Sequence, residues 1–242
     1  MGTWKVAGFL VALAIVGAVV VALASRAPAS LRDFHPPEGA TDPSLGARFT
    51  PEEIAQHGAY ARGGYAAFAV STSLTIATLI LLRRPIGGFV SRLEDLSMPW
   101  PAVALLTVLL VLLIVTAVTL PAAYVRGFWA QHAWHLSTQS KGGWALDQLR
   151  ALVVTGVTLA IATLAFFAAV RWQPRVWWLW AWAALSVLTI AIVYLYPIVI
   201  TPLFNRFTPL HDASLNMRIH ELADDAGVPI DTVLVADASK RS

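Results

Sequence analysis

The chain contains no cysteine, which excludes disulfides and thiolate metal sites and leaves the compartment open. Charge is scarce too. Only 13% of its 242 residues are Asp, Glu, Lys or Arg, roughly half the share of an ordinary soluble domain. No ionisable residue falls in the middle of a long apolar run, so the usual mark of proton and ion pathways is missing and a coupled transporter is disfavoured. Walker loop, dinucleotide fingerprint and nucleophile elbow are all absent, which leaves nucleotide-driven and serine-hydrolase chemistry without support. The zinc helix motif His-Glu-x-x-His is absent as well. Seventeen basic residues against fourteen acidic ones give a net charge of +3, but the bases are scattered among apolar spans and form no stripe. That argues against nucleic acid as a partner and for lipid headgroups.

What the chain has is hydrophobicity, with 57% apolar residues and a mean hydropathy of +0.67. Five stretches are long enough to cross a hydrocarbon core of about 30 Å: residues 6–25, 65–82, 101–124, 151–170 and 176–200. Lipid offers backbone groups no hydrogen-bond partners, and no alternating barrel pattern is present, so each stretch is expected to be a helix. The fold class is an all-α polytopic membrane protein with about five transmembrane helices. Ala22-Leu23-Ala24 fits a small-x-small cleavage rule, yet the apolar run before it is too long for a signal peptide and only Lys5 precedes it. A retained first helix is the expectation.

Thr50-Pro51-Glu52-Glu53 reads as a cap, a proline at the first helical position and acids in the first turn, so a helix should start there and run into the second span. Ser71, Thr72, Ser73, Thr75 and Thr78 make that span hydroxyl-rich. They either bond back to carbonyls one turn earlier and pack between helices, or line a wet interior. The connector 125–150 mixes Arg126, His132, His135, Lys141 and Asp147 with Trp129, Trp134 and Trp144, a combination suited to the headgroup zone. Arg171 to Arg175 reads as a tight turn set in a belt of Trp172, Trp177, Trp178, Trp180 and Trp182. With five spans, Asn205 onward lies on the face opposite Met1. Basic residues flanking the spans on the tail's side are Arg26, Arg32, Arg48, Arg62, Arg126, Lys141, Arg150 and Arg206, against Lys5, Arg83, Arg84, Arg92, Arg171 and Arg175. The lean places the tail in the cytosol.

Beyond the last span, Leu215, Ile219, Leu222 and Ala226 recur at helical spacing and should give a helix over 213–226 with one buried stripe. Gly227 and Pro229 stop it, and Thr232 to Ala236 reads as a strand. One helix and one strand are too little for a core of their own. Two His-containing groups invite a metal reading. His220-Glu221-Leu222-Ala223-Asp224 puts His and Asp one turn apart but lacks a convincing third ligand, and a solvated polar face is the expectation. His132 and His135 stand three apart, and hydrogen bonding to headgroups or connector backbone is expected there.

The order Tyr196, Pro197, Pro202-Leu203-Phe204-Asn205, Phe207, Pro209-Leu210, a helix ending in Gly227-Val228-Pro229, a strand and then Asp237-Ala238-Ser239-Lys240-Arg241-Ser242 resembles the junction in integral-membrane CAAX prenyl proteases of type I. Arg26, Thr50-Pro51-Glu52, Tyr60, Ser137-Thr138-Gln139, Trp144 and Asp147 resemble the family's earlier segments more loosely, and Gln131 and His135 depart from its connector pattern. The resemblance implies a seven-helix zinc metalloendopeptidase with an intramembrane chamber. Its zinc domain would be inserted after the fifth helix on the cytosolic side, and its zinc held by two His of His-Glu-x-x-His and a later Glu. On that basis residues 1–204 form the membrane domain and 205–242 open a small α+β peptidase domain that stops before the zinc motif. Pro202, Leu203, Phe204, Asn205, Asp237, Ser239, Lys240 and Arg241 are then motif positions. No zinc ligand or catalytic residue carries over to this chain, and no bound zinc is expected. Expected partners are the bilayer, a polypeptide substrate and a separate C-terminal peptidase domain; the expected location is a bacterial plasma membrane. The rival from another class is a non-catalytic membrane scaffold or peptide-binding subunit.

Overall fold

The computed structural model describes residues 3–27, 51–204 and 207–236. Five helices among them are long and apolar enough to cross a membrane: Trp4–Ala24, Gln56–Asp95, Trp100–Ala133, Lys141–Trp172 and Trp177–Phe204. The secondary structure divides them as α1 (Thr3–Ala24), α2 (Pro51–Asp95), α3 (Trp100–Tyr124), α4 (Gln131–Ala133), α5 (Lys141–Trp172), α6 (Trp177–Leu195) and α7 (Thr201–Phe204). All five expected spans are present, and α2 and α5 run beyond their apolar stretches at both ends. A helix ends where its backbone is capped or broken, and loss of hydropathy alone does not stop it.

The largest departure is in α2. Its expected span, 65–82, is only the middle of a 45-residue helix about 68 Å long. The helix starts at Pro51 as expected, while Thr50 and the loop before it lie outside the described residues. Beyond Leu82 it carries Arg83, Arg84 and Pro85 in its interior, so this crossing helix does hold ionisable residues well inside its length. Pro85 removes one donor, the one that would have reached the carbonyl of Leu81, without ending the helix. Termination comes at Ser97, whose backbone is left-handed (φ 54°). There Ser97 N–H donates to Glu94 O at 2.8 Å and Met98 N–H to Leu93 O at 3.2 Å, closing the helix before Pro99.

α1, α2 and α3 pack as an antiparallel trio. Val6, Leu10 and Ala14 of α1 meet Leu74 of α2 and Val118 of α3 in the buried core. Two glycines let α1 approach α2. A Cβ on Gly17 would lie 2.7 Å from Val70 Cγ1, and one on Gly63 would lie 2.6 Å from Ser25 Oγ and 3.0 Å from Ser25 Cα. Small residues at such crossings are how helices approach in lipid, where no hydrophobic force pushes them together. These contacts also fix the level: α1 covers α2 from about residue 63 to the low eighties, and the final turns of α2 extend past its start. α5 joins the trio through Gly156, over which Leu109 and Leu112 of α3 close, and α6 packs on α5.

Lipid-facing positions are apolar and exposed, including Val153, Val157 and Ile161 on α5 and Val187 and Ile190 on α6. The turn between these helices carries the tryptophan belt, with Trp172 and Trp180 centroids 5.3 Å apart and Trp172, Trp178 and Trp182 all largely exposed. Thr75 Oγ1 donates to Ser71 O at 2.8 Å, the back-bonding expected of the hydroxyl patch. Thr78 is fully buried. At the end of α6, Pro197 has no N–H for the carbonyl of Val193, and the chain widens into a π-helical turn over Tyr196–Ile200.

The tail differs from its expected form in two ways. It has two short strands, β1 (Phe207–Pro209) and β2 (Leu234–Ala236), paired antiparallel with Phe207 opposite Ala236. β1 was hidden by its Pro209 and by its length of three residues, and β2 is shorter than the expected 232–236. The helix α8 (Ala213–Asp225) stops at Gly227, φ +68°, as its sequence requires. Its apolar stripe, however, is uncovered: Leu215 and Leu222 are exposed, because two three-residue strands offer too little surface to cover a helix.

Candidate functional site

The chemistry-bearing side chains gather at the tail-side end of the bundle, where α1 ends, α2 begins and α3 passes into α5. After Pro121, α3 loosens into a π-helical segment, Val125–Ala130, which turns Arg126 toward α2. The Arg126 guanidinium sits over the Tyr60 ring at 4.1 Å, a cation–π pairing. Tyr60 in turn meets Trp134 edge-on at 5.3 Å, and its hydroxyl accepts from Gln131 Nε2 at 3.0 Å. Buried Trp134 donates through Nε1 to Ser25 O at 2.9 Å. That bond ties the end of α1 to the connector. Arg126 Nη1 and Ser25 Oγ are buried without a hydrogen-bond partner, so the cluster has spare donors for an anion or a carbonyl.

Beside it, Tyr124 and Trp144 meet at 5.2 Å, and Phe128 stacks on Tyr124 at 5.3 Å. Ser140 caps α5 by accepting from Gly143 N–H at 3.1 Å. Asp147 then accepts from Gln139 Nε2 and pairs with Arg150 at 3.4 Å. Gln139 N–H also donates to Ser137 Oγ at 3.2 Å, so Ser137, Gln139 and Asp147 link the connector to α5.

The two metal candidates are not built as such. His132 faces Phe128, with its Nδ1 2.8 Å from Phe128 O. His135 lies past the end of α4 in left-handed backbone (φ 56°), so the two histidines share no helix face. His220 Nδ1 lies 2.9 Å from Asn216 O. Among the described residues no group of three or more His, Asp or Glu could hold a metal ion. In the tail, Asp212 caps α8 by accepting from Ser214 N–H at 2.9 Å and Leu215 N–H at 3.1 Å. These bonds, the one from Leu215 first, hold its carboxyl below the usual carboxylate range. Of the expected motif positions, Pro202, Leu203 and Phe204 form the short helix α7; Asn205, Asp237, Ser239, Lys240 and Arg241 lie outside the described residues.

Residues 35–206 match the model of the CAAX prenyl protease N-terminal region, described as five membrane helices. The chain belongs to this family. It is 32% identical over 130 residues to the uncharacterized metalloprotease YhfN of Bacillus subtilis, covering 54% of this chain and 30% of that protein. It is 30% identical over 127 residues to CAAX prenyl protease 1 of Saccharomyces cerevisiae, covering 52% and 28%. The crystal structure of Ste24p from S. mikatae superposes with a TM-score of 0.66 over 100% of this chain and 57% of that one, at 21% identity, a likeness of fold. The chain therefore spans about a third of the curated relatives it matches. As a CAAX protease-family member it is an integral-membrane protein of a zinc metalloprotease family. The described residues do not fit the family's zinc: among them no three His, Asp or Glu side chains come together.

The cluster of Ser25, Tyr60, Arg126, Gln131 and Trp134 escaped the sequence reading as a unit. Its members stand 71 and 109 residues apart along the chain, and no local pattern connects them. The only signal was compositional, an arginine and tryptophans at a membrane edge.

Proposed function

We propose that this chain is the membrane region of a zinc-dependent endopeptidase acting on membrane-associated or CAAX-type polypeptides, with residues 205–242 opening its cytosolic catalytic domain. The observation that supports this most is the match of residues 35–206 to the five-helix region of the CAAX proteases. Peptide hydrolysis needs a metal-activated water and a positioned base. Both are assigned to sequence outside these 242 residues, carrying the His-Glu-x-x-His motif. The membrane region would supply the wall along which a polypeptide reaches that site, and the tail-side cluster, with the unpartnered Nη1 of Arg126, would meet backbone carbonyls or carboxylates of the substrate. We assign the membrane to the plasma membrane of a bacterium.

The test is turnover of a quenched peptide by this chain, by a separately produced zinc domain and by their mixture. Chelator-sensitive turnover by the mixture, with none by the chain alone, is the expected result; zinc-dependent turnover by residues 1–242 alone would overturn the assignment. Orientation is checked by thiol labelling: a cysteine replacing Ser214 should be shielded from an impermeant reagent in intact cells, and labelling from outside would invert the topology.

A further inference from the structure

At the end of the bundle opposite the tail, α2, α3 and α5 enclose a cavity of about 670 Å³ lined by Val90, Glu94, Trp100, Thr107, Phe167, Arg171 and their apolar neighbours. Its size is that of a ligand pocket, roughly 300–1,000 Å³. No residue of α1 lines it. Glu94 and Arg171, of opposite charge, both line it; both are exposed, and among the described residues neither is held in an ion pair, so their charges remain available to a ligand. The Thr107 hydroxyl in the wall has no hydrogen-bond partner.

The backbone reinforces this charge arrangement. Glu94 sits in the last turn of α2, where carbonyls point outward and cations are favoured. Trp100 opens α3, where Pro101 has no N–H and Ala102 N–H donates to Pro99 O at 2.9 Å, so the helix dipole alone favours an anion at that end. Arg171 lies over the Trp100 ring at 5.3 Å, on the same anion-favouring side. One cavity therefore carries a cation-seeking wall and an anion-seeking wall beside an apolar lining of Val90, Val103, Val108 and Phe167.

We propose that this cavity binds a zwitterionic phospholipid bearing a primary ammonium, of the phosphatidylethanolamine type. The ammonium would donate to the Glu94 carboxylate, the phosphate would accept from Arg171 at the head of α3, and an acyl chain would lie along Val103, Val108 and Phe167. Charge selects this occupant. An anionic headgroup meets Arg171 but is repelled by Glu94. A quaternary ammonium has no N–H to donate to a carboxylate, and one face of the Trp100 ring that could receive it is already taken by Arg171.

The experiment is native mass spectrometry of the purified chain titrated with phosphatidylethanolamine, phosphatidylcholine and phosphatidylglycerol of identical acyl chains. Phosphatidylethanolamine should bind about tenfold more tightly than the other two, as one added charge-assisted hydrogen bond permits. Glu94→Gln should erase that preference, Arg171→Gln should weaken the ethanolamine and choline lipids together, and Val103→Trp, which fills the cavity, should abolish the tight site. Lys141→Gln, at the other end, should change nothing. Equal binding of all three lipids by the unmodified chain, or an unchanged ranking in Glu94→Gln, would reduce the cavity to ordinary boundary lipid and overturn the proposal. If Glu94→Gln fails to fold, retention of the preference in Val103→Trp does so instead.

Discussion

The two ends of the bundle treat their polar side chains differently, burying or half-burying the linked ones at one end and leaving Glu94 and Arg171 exposed at the other. At the tail-side end, polar groups that leave water are mostly paired within the protein: Trp134 with the Ser25 carbonyl, Gln131 with Tyr60, Asp147 with Gln139 and Arg150. At the opposite end, Glu94 and Arg171 line a cavity without pairing. The difference follows from the helix trio. α1 closes on α2 through Gly63 and Gly17, which packs one end tightly, and no residue of α1 lines the cavity at the other. The packed end holds the fold while keeping Arg126 Nη1 unpartnered, and the other end holds a cavity.

The sharpest way to break the contrast is to remove its tail-side latch. Trp134→Ala deletes a buried ring together with its bond to Ser25 O and should cost about 3 to 5 kcal/mol. Thermal unfolding in detergent reads this, and a loss no larger than that of an exposed tryptophan such as Trp178→Ala would show that the latch carries no stability. Next comes the glycine comparison. Gly63→Leu drives its side chain into Ser25 and should destabilise by about 1 to 3 kcal/mol. Gly88→Ala has open space around its Cβ, and in that exposed helix it should stabilise by about 0.5 to 1 kcal/mol. Equal effects at the two glycines would remove the asymmetry of the ends. The smallest effect belongs to the tail. Because the folded state holds the Asp212 carboxyl below its ordinary value of 3.8, its capping of α8 is fully present above that value and is lost as pH falls through the lower, folded one. Amide exchange at Ser214 and Leu215 should therefore gain protection from acid to neutral pH, and Asp212→Ala should abolish the trend.

The legible parts of this molecule were those governed by local rules. Apolar runs sufficient to span lipid gave all five crossing helices, Pro51 and Gly227 marked a helix start and a helix stop, and the segment from Pro202 to Leu210 carried the family resemblance later met in the match over residues 35–206. The limits of α2 were not legible from hydropathy, since Arg83, Arg84 and Pro85 look like the end of a span and are the interior of a helix. β1 was not legible either, because three residues ending in proline give no strand pattern, and pairing with β2 alone makes them a strand.

Of the candidate site, the sequence supplied the participants and not their grouping. Arg126 and Trp134 were visible as residues suited to a membrane edge, Tyr60 and Gln131 entered only through the family resemblance, and the metal alternative for His132 and His135 fails on the left-handed turn at His135. Membership of the bilayer, the helix count and the absence of His-Glu-x-x-His were fixed by composition and order, because burial in lipid forces backbone pairing within each segment whatever the neighbours do. Which residues meet, which end closes and which stays open were decided only in three dimensions. They depend on how α1 is set against α2, and that register is fixed by the close contacts at Gly17 and Gly63 between residues distant in the chain.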